Sequence, residues 1–278
     1  MPEIDEASTA QPEVLRLWWQ SFVDEQASGD YLRLLQQRLT RRAESVMPPG
    51  RRIEVHVAGM SPPARDWGRV SELRGGVVAV RNAITAADQG YDVFVIGHFQ
   101  EPCLAEARSA VDIPVIGLGE STLLWASHLG WGFGLISVDT VFEAIHREQV
   151  QRLGFAERLI GVRALDATLD EFRQAFADEP GAYSLLKDRC HTAAAALVDE
   201  GADVVISAGG LYGTLSLDDT EESLAGVPLV NCVAVGLDWA LMTERLYRST
   251  GLRPNRRSTY PRGSGLAQQD LLGIFAEN

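Results

Sequence analysis

The chain has 278 residues, 46% of them hydrophobic and 23% charged, with a formal net charge of -13. That is the composition of a soluble globular protein with length for one large domain or two modest ones. The negative balance excludes nucleic acid, whose phosphates need a basic surface, and adsorption to anionic membranes. Three cysteines, Cys103, Cys190 and Cys232, are odd in number and show no CxxC spacing. They predict neither a disulfide framework nor a zinc knuckle.

The opening stretch MPEIDEASTAQPEV is acidic and has no apolar h-region, so no secretory signal is expected. No apolar run approaches the roughly 18 residues of a membrane span, and a cytoplasmic location is the expectation. The spacing predicts a helical arm over residues 1–50. Leu15, Trp18, Trp19 and Phe22 fall at i, i+3, i+4 and i+7, Leu32, Leu35 and Leu39 follow, and Met47-Pro48-Pro49-Gly50 breaks the pattern. Two adjacent tryptophans predict that the arm packs on the body or on a second subunit, and a homo-oligomer is expected.

From Arg51 onward, short β-branched runs at 53–57, 93–96, 113–116, 133–138, 204–206 and 229–230 alternate with helix-like segments. That alternation predicts βαβ units and parallel sheets. Gly90-Tyr91-Asp92-Val93 recurs as Gly201-Ala202-Asp203-Val204, and Ile113-Pro114-Val115-Ile116 as Val227-Pro228-Leu229-Val230. Two matches in the same order predict an α/β fold of two pseudo-symmetric lobes facing each other across a cleft. The expected division is an arm over 1–50, a first lobe over 51–119 completed by 237–278, and a second lobe over 120–236.

Strand ends that open into glycine-containing turns are where such folds place their chemistry. Gly97-His98-Phe99 is one, and His98 brings a side chain that titrates near neutrality. Ser207-Ala208-Gly209-Gly210-Leu211-Tyr212-Gly213-Thr214 is another. Its glycines predict backbone N–H groups able to cradle a carboxylate or enolate oxygen, with Tyr212 and Thr214 as hydroxyl donors. Glu120 opens a helix, either as an acid/base group or as a favourable charge at a helix start. Cys103 also stands at a helix start, where a thiol pKa is lowered. Cys232 follows a strand end, and Cys190 lies within a helix as packing. No dinucleotide fingerprint, Walker lysine or paired metal spacing among the five histidines occurs, so no cofactor or metal is expected. The arginines from Arg248 to Arg262 form a local basic tail, read as a solvated loop or a subunit contact.

These motifs, with His98-Phe99-Gln100-Glu101-Pro102, Gly117-Leu118-Gly119-Glu120, Phe133-Gly134-Leu135-Ile136-Ser137 and Ala208-Gly209-Gly210-Leu211, resemble the aspartate/glutamate/hydantoin racemase superfamily, and its hydantoin racemase branch in particular. The resemblance runs from about Ile53 to Leu246. It implies an active site between two lobes and cofactor-free proton transfer next to a carboxylate or carbonyl by one cysteine from each lobe. By the same resemblance, His98 stands at the first cysteine position and Ala208 at the second, so a two-thiol racemase is not expected. The resemblance also makes Phe99, Ser137, Ser207, Ala208, Gly209, Gly210 and Tyr212 candidate substrate contacts. Met60-Ser61-Pro62-Pro63 replaces an Asn-containing loop of relatives, with Arg65 or Trp67 as candidates for its role.

Three readings stay open. One is an isomerase or lyase acting on a small carboxylate or carbonyl compound, with His98 as acid/base and Glu120 as a second such group. Another is a hydrolase or lyase using Cys103 or Cys232. The third is a non-catalytic relative that binds a small acid.

Overall fold

In the computed structural model, which describes residues 13–26, 28–61, 66–219 and 223–274, the segment Glu13–Asp24 is a strand. The helix expected there is corrected, and residues 1–12 lie outside the described part. The reason is visible in the packing. Leu15, Leu17 and Trp19 alternate onto one face, with Leu35, Val95 and Leu237, while Trp18 turns to the other, with Phe94 and Ile84. A strand buried on both faces reads as a continuous apolar run, and over eight residues such a run also satisfies a helical period. The second half of the predicted arm is helical, Gly29–Val46, with Leu32, Leu35 and Leu39 buried as expected.

The order along the chain is β1 (Glu13–Asp24), α1 (Gly29–Val46), β2 (Arg51–Met60), α2 (Arg69–Asp88), β3 (Val93–Ile96), α3 (Leu104–Ala110), β4 (Val115–Gly117) and α4 (Leu118–Leu129). The second half continues with β5 (Phe133–Ser137), α5 (Glu143–Arg152), β6 (Leu159–Ala164), α6 (Leu169–Phe176), α7 (Ala182–Asp199), β7 (Val204–Ser207) and α8 (Gly210–Leu215). It closes with β8 (Ser223–Leu224), β9 (Val227–Asn231), α9 (Cys232–Thr250) and α10 (Gly265–Gly273). One sheet has the order β2-β1-β3-β4 with every pair parallel. The other has the order β6-β5-β7-β9-β8, parallel except for the short β8 at its edge.

The sequence repeat is a structural repeat, and β1 belongs to it. Gly90 and Gly201 both take a positive φ, 75° and 103°, ending the helix before β3 and β7. The aspartate two residues later does the same work in each lobe. Asp92 Oδ2 accepts from Arg16 N at 2.7 Å on β1, and Asp203 Oδ2 accepts from Gly132 N at 3.0 Å just before β5. The main chain reciprocates: Asp92 N donates to Arg16 O and Asp203 N to Gly132 O, both at 2.8 Å. Strands β1, β2, β3 and β4 thus correspond to β5, β6, β7 and β9.

The lobes are not separable bodies. Helix α9 leaves the second sheet and packs on α4, β3 and β4 of the first. Its Cys232, Val233, Leu237 and Ala240 join one core with Trp19, Val95, Leu118 and Phe133. A second core lies between β5, β7 and helices α6 and α7, and a third beneath α2 and α3. Among the described residues, no helix is long and apolar enough to cross a membrane.

Candidate active site

Because the strands of each sheet run parallel, their carboxyl ends lie together, and the two sets of ends bound a cleft of about 960 Å³. From the first sheet come Ser21 and Phe22 of β1, Met60 of β2, and Gly97 and His98 beyond β3. From the second come Val138 beyond β5 and Ala208, Gly209 and Gly210 beyond β7. His98 and Ala208, the two positions singled out by the resemblance, line the same space.

The lobes come close at these tips. A side chain added at Gly210 would begin 3.3 Å from Gly97 O and 3.5 Å from the Tyr31 hydroxyl. Gly97 is glycine for a packing reason: a Cβ there would stand 2.0 Å from Trp19 Nε1 and 2.6 Å from its Cδ1. Trp19 is fully buried in the central strand and has nowhere to go. Gly97→Ala is expected to cost about 1–3 kcal/mol by overpacking, read as a lower midpoint in thermal or urea unfolding. An unchanged midpoint would show that the β3 tip can shift away from the indole.

His98 is held from three sides. Its Nε2 lies 2.9 and 3.0 Å from the two carboxylate oxygens of Glu72, in the first turn of α2. Its ring stacks on Phe22, centroids 4.5 Å apart and planes within 11°. Phe142 meets it edge-on at 6.2 Å. The His98 and Glu72 side chains are 19% and 15% exposed, so the pair is shielded but reachable from the cleft. A carboxylate facing Nε2 makes that nitrogen the N–H donor, which leaves the lone pair on Nδ1.

Tyr31 of α1 is also in the lining, beside the Gly97 and Gly210 tips. Burial raises its phenol above the ordinary tyrosine range, opposed by hydrogen bonds with the Ser21 and Thr214 side chains. It therefore remains a hydrogen-bond donor at neutral pH. Neither Glu72 nor Tyr31 nor Phe22 carries a sequence signal for this role; Glu72 of α2 and Phe22 of β1 meet His98 from far along the chain, and Tyr31 of α1 lies beside the Gly210 tip.

Several expected residues are elsewhere. Cys103 is the half-buried residue before α3, packed on Gly76 and away from the cleft lining. Burial pushes its thiol up to about 11, with the Glu106 charge adding to the rise, the reverse of the activation expected at a helix start. Cys232 begins α9 but is fully buried, and burial pushes it up to about 12. Neither is a poised thiolate.

Glu120 is engaged with the Arg108 guanidinium, one of the two contacts being Nη1 to Oε1 at 3.1 Å, and does not line the cleft. Tyr212 is turned into the second-lobe core beside Tyr183, and burial raises its phenol strongly. Phe99 is fully buried and offers only its carbonyl, which accepts from Gln149 Nε2 at 2.6 Å. Ser137 donates to Asp139 O at 3.0 Å and faces His146. Ser207 is buried behind the tip.

The glycine turn is a narrower cradle than its sequence predicts. Ala208 N already donates to Ile136 O at 2.8 Å, and the Thr214 hydroxyl to Gly210 O at 2.7 Å. Trp67 does line the cleft, whereas Arg65, Pro62 and Pro63 lie outside the described residues. Among the described residues, no group of three or more His, Cys, Asp or Glu is arranged to hold a metal ion.

Two sheets of parallel strands, repeat-related and meeting at their strand tips over a cleft, define the class: a two-lobed α/β protein with a cleft between the halves. The Asp/Glu/hydantoin racemase family model matches residues 26–240, and the chain belongs to that family. Among curated relatives, the hydantoin racemase of Pseudomonas sp. (strain NS671) is 23% identical over 205 residues, covering 73% of this chain and 79% of the relative. Among solved structures, the allantoin racemase of Klebsiella pneumoniae superposes with a TM-score of 0.69 at 21% identity, over 90% of this chain and 94% of that one. The maleate isomerase of Pseudomonas putida S16 superposes at 0.59 with 15% identity, over 83% and 92%. These likenesses establish the fold. Family membership supports an enzyme of isomerase type acting on a small molecule.

Proposed function

We propose that this protein is a cofactor-independent enzyme of isomerase type that moves a proton at a carbon next to a carbonyl, with His98 as the base where relatives are expected to carry a thiol. The observation that carries the reading is the His98–Glu72 pair at the β3 tip, facing the cleft from which the second lobe presents Ala208.

The chemistry follows from the geometry. With Nε2–H directed at Glu72, the Nδ1 lone pair takes the proton from the carbon next to the carbonyl. The C–H electron pair moves into the carbonyl, leaving an enolate, and the Glu72 carboxylate stabilises the imidazolium so formed. The Tyr31 phenol, kept protonated by burial, supplies a hydrogen bond to the enolate oxygen. The imidazolium then returns the proton to the same face, at the original carbon or at a conjugated one. Ala208 has no proton to give to the other face.

The test is deuterium uptake from D₂O, followed by NMR, over a panel of hydantoins, amino acids, arylmalonates and unsaturated diacids. Uptake next to a carbonyl with retained optical activity, or with a shifted double bond, supports the one-base reading. Uptake accompanied by loss of optical activity would overturn the one-base reading and call for a second proton donor. No uptake across the panel overturns the reading.

Glu72 is a positioning residue in this scheme. Glu72→Gln is expected to lower kcat by about 10² with KM little changed, and Glu72→Asp to recover part of the loss. A rise in KM with kcat intact would assign Glu72 to substrate binding.

A further inference from the structure

The walls of the cleft carry a recognition chemistry that neither family membership nor the proton-transfer reading supplies. Six aromatic side chains face it: Phe22, Tyr31, Trp67, Phe142, Phe172 and Phe176. They form two groups. Phe22 and Phe142 surround His98, with Trp67 5.5 Å from Phe142, and Tyr31 packs 4.8 Å from Phe176, which stacks on Phe172 at 6.3 Å. Between and above them stand six carboxylates, Asp24, Asp30, Asp66, Glu72, Asp170 and Glu179. Among the described lining residues the basic side chain is Arg173, and it is ion-paired to Asp170.

Aromatic faces present negative charge to the space they bound and attract cations most strongly where water is displaced. Carboxylates of one sign around a low-dielectric cleft concentrate ions of the opposite sign and repel like charge. The two features act in the same direction. Asp30 and Asp170 are themselves paired with Arg33 and Arg173, and among the described lining residues the carboxylates still outnumber the one guanidinium that a substrate carboxylate would meet.

We infer that the cleft is built for an organic cation: a small carbon acid whose reacting carbonyl end reaches His98 and whose other end carries an ammonium or guanidinium group held among the aromatic walls. This inference rests on the cleft being the active site, but its binding half stands apart from the catalytic role of His98.

Two measurements test it. The first uses two benzyl probes of opposite charge, benzyltrimethylammonium and phenylacetate, in thermal-shift titrations at low salt on the native protein. The cation is expected to bind at least about tenfold more tightly, with the difference shrinking as salt is added. Asp170→Asn combined with Glu179→Gln, both outside the catalytic pair, is expected to reduce the ratio. Equal binding, tighter binding of phenylacetate, or binding of neither probe overturns the inference.

The second measurement compares deuterium uptake into the hydantoins derived from lysine, leucine and glutamate, which share one reacting carbon and differ in side-chain charge. The expected order of kcat/KM is lysine, then leucine, then glutamate. A reversed order overturns the inference. Uptake that persists in His98→Ala, together with a preserved preference for benzyltrimethylammonium, would sink the mechanism and leave the charge selectivity standing.

Discussion

Replacing His98 by alanine is expected to lower deuterium uptake by about 10³, the middle of the range for loss of a positioned general base, while the chain remains folded. The side chain lies at the edge of the core, in contact with Phe22, Phe142 and Glu72, so its removal opens no deep cavity. It does strand Glu72, whose carboxylate is 15% exposed and would face an apolar gap. Leaving such a group unpaired costs about 1–3 kcal/mol. The double variant His98→Ala/Glu72→Ala separates the two effects. It is expected to regain the stability lost by the single variant and none of the rate. If the double variant regained rate, or if His98→Ala retained more than a tenth of it, the base would lie elsewhere in the cleft.

The second large effect concerns stability, from two groups buried under the His98 loop. Glu101 is fully buried, with a φ of 45°, and its Oε2 accepts from Glu120 N at 2.9 Å. Burial pushes its carboxyl from 4.5 up to about 7, the Glu120 N–H opposing. His146, also fully buried, is pushed by burial from 6.5 down to about 4. Between pH 4.5 and 7 the folded chain holds a proton on Glu101 that the unfolded chain has lost, so stability falls as pH rises. Between pH 4 and 6.5 the folded chain keeps His146 neutral while the unfolded chain is protonated, so stability rises with pH. Over the shared interval the slopes oppose and largely cancel.

Glu101→Gln removes one of them. The variant's stability is expected to climb from pH 4.5 to 6.5 by up to about 1.4 kcal/mol per pH unit, where the native protein stays nearly flat. Above pH 7 the variant is expected to be the more stable by about 3 kcal/mol, the equivalent of the Glu101 shift. Urea unfolding at a series of pH values measures both. A variant less stable than native at pH 8 would show that the Glu101 carboxylate, with Arg152 3.7 Å from Oε1, is held favourably as an anion.

What the sequence disclosed and what it hid follow from how far each signal reaches. The β3 and β7 tips were legible because a Gly-x-Asp-Val turn, a short apolar strand and a glycine turn are local features, repeated once. The place of His98 in the cleft lining was legible because it stands at such a tip. The strand at 13–24 was not, since both its faces are buried and the Trp18-Trp19 pair, divided between two cores, imitates a helical stripe. Glu72, Tyr31 and Phe22 were not, because they come from three separate elements, α2, α1 and β1, which only the folded chain brings to one cleft. Cys103 was singled out for its helix start and Cys232 for its place after a strand end, but burial raises the thiol at each. Glu120 was read either as an acid/base group or as a favourable charge at a helix start; it pairs with Arg108 of the preceding helix and does not line the cleft.

The path of α9 bears on how the chain is made. All four strands of the first sheet have been synthesised by Gly117, yet the helix that covers β3 and β4 starts at Cys232. At ribosomal speed the intervening residues take on the order of ten seconds to appear. For that time Trp19, Val95 and their neighbours lack their eventual cover, with α1 and then α4 supplying the early helical part of that core. The nascent first half is therefore the stage at which this protein is most exposed to aggregation and has most need of a chaperone. Cutting the gene between the lobes would yield two fragments, the first missing the helix that covers β3 and β4 and the second carrying that helix with its first-sheet face bare.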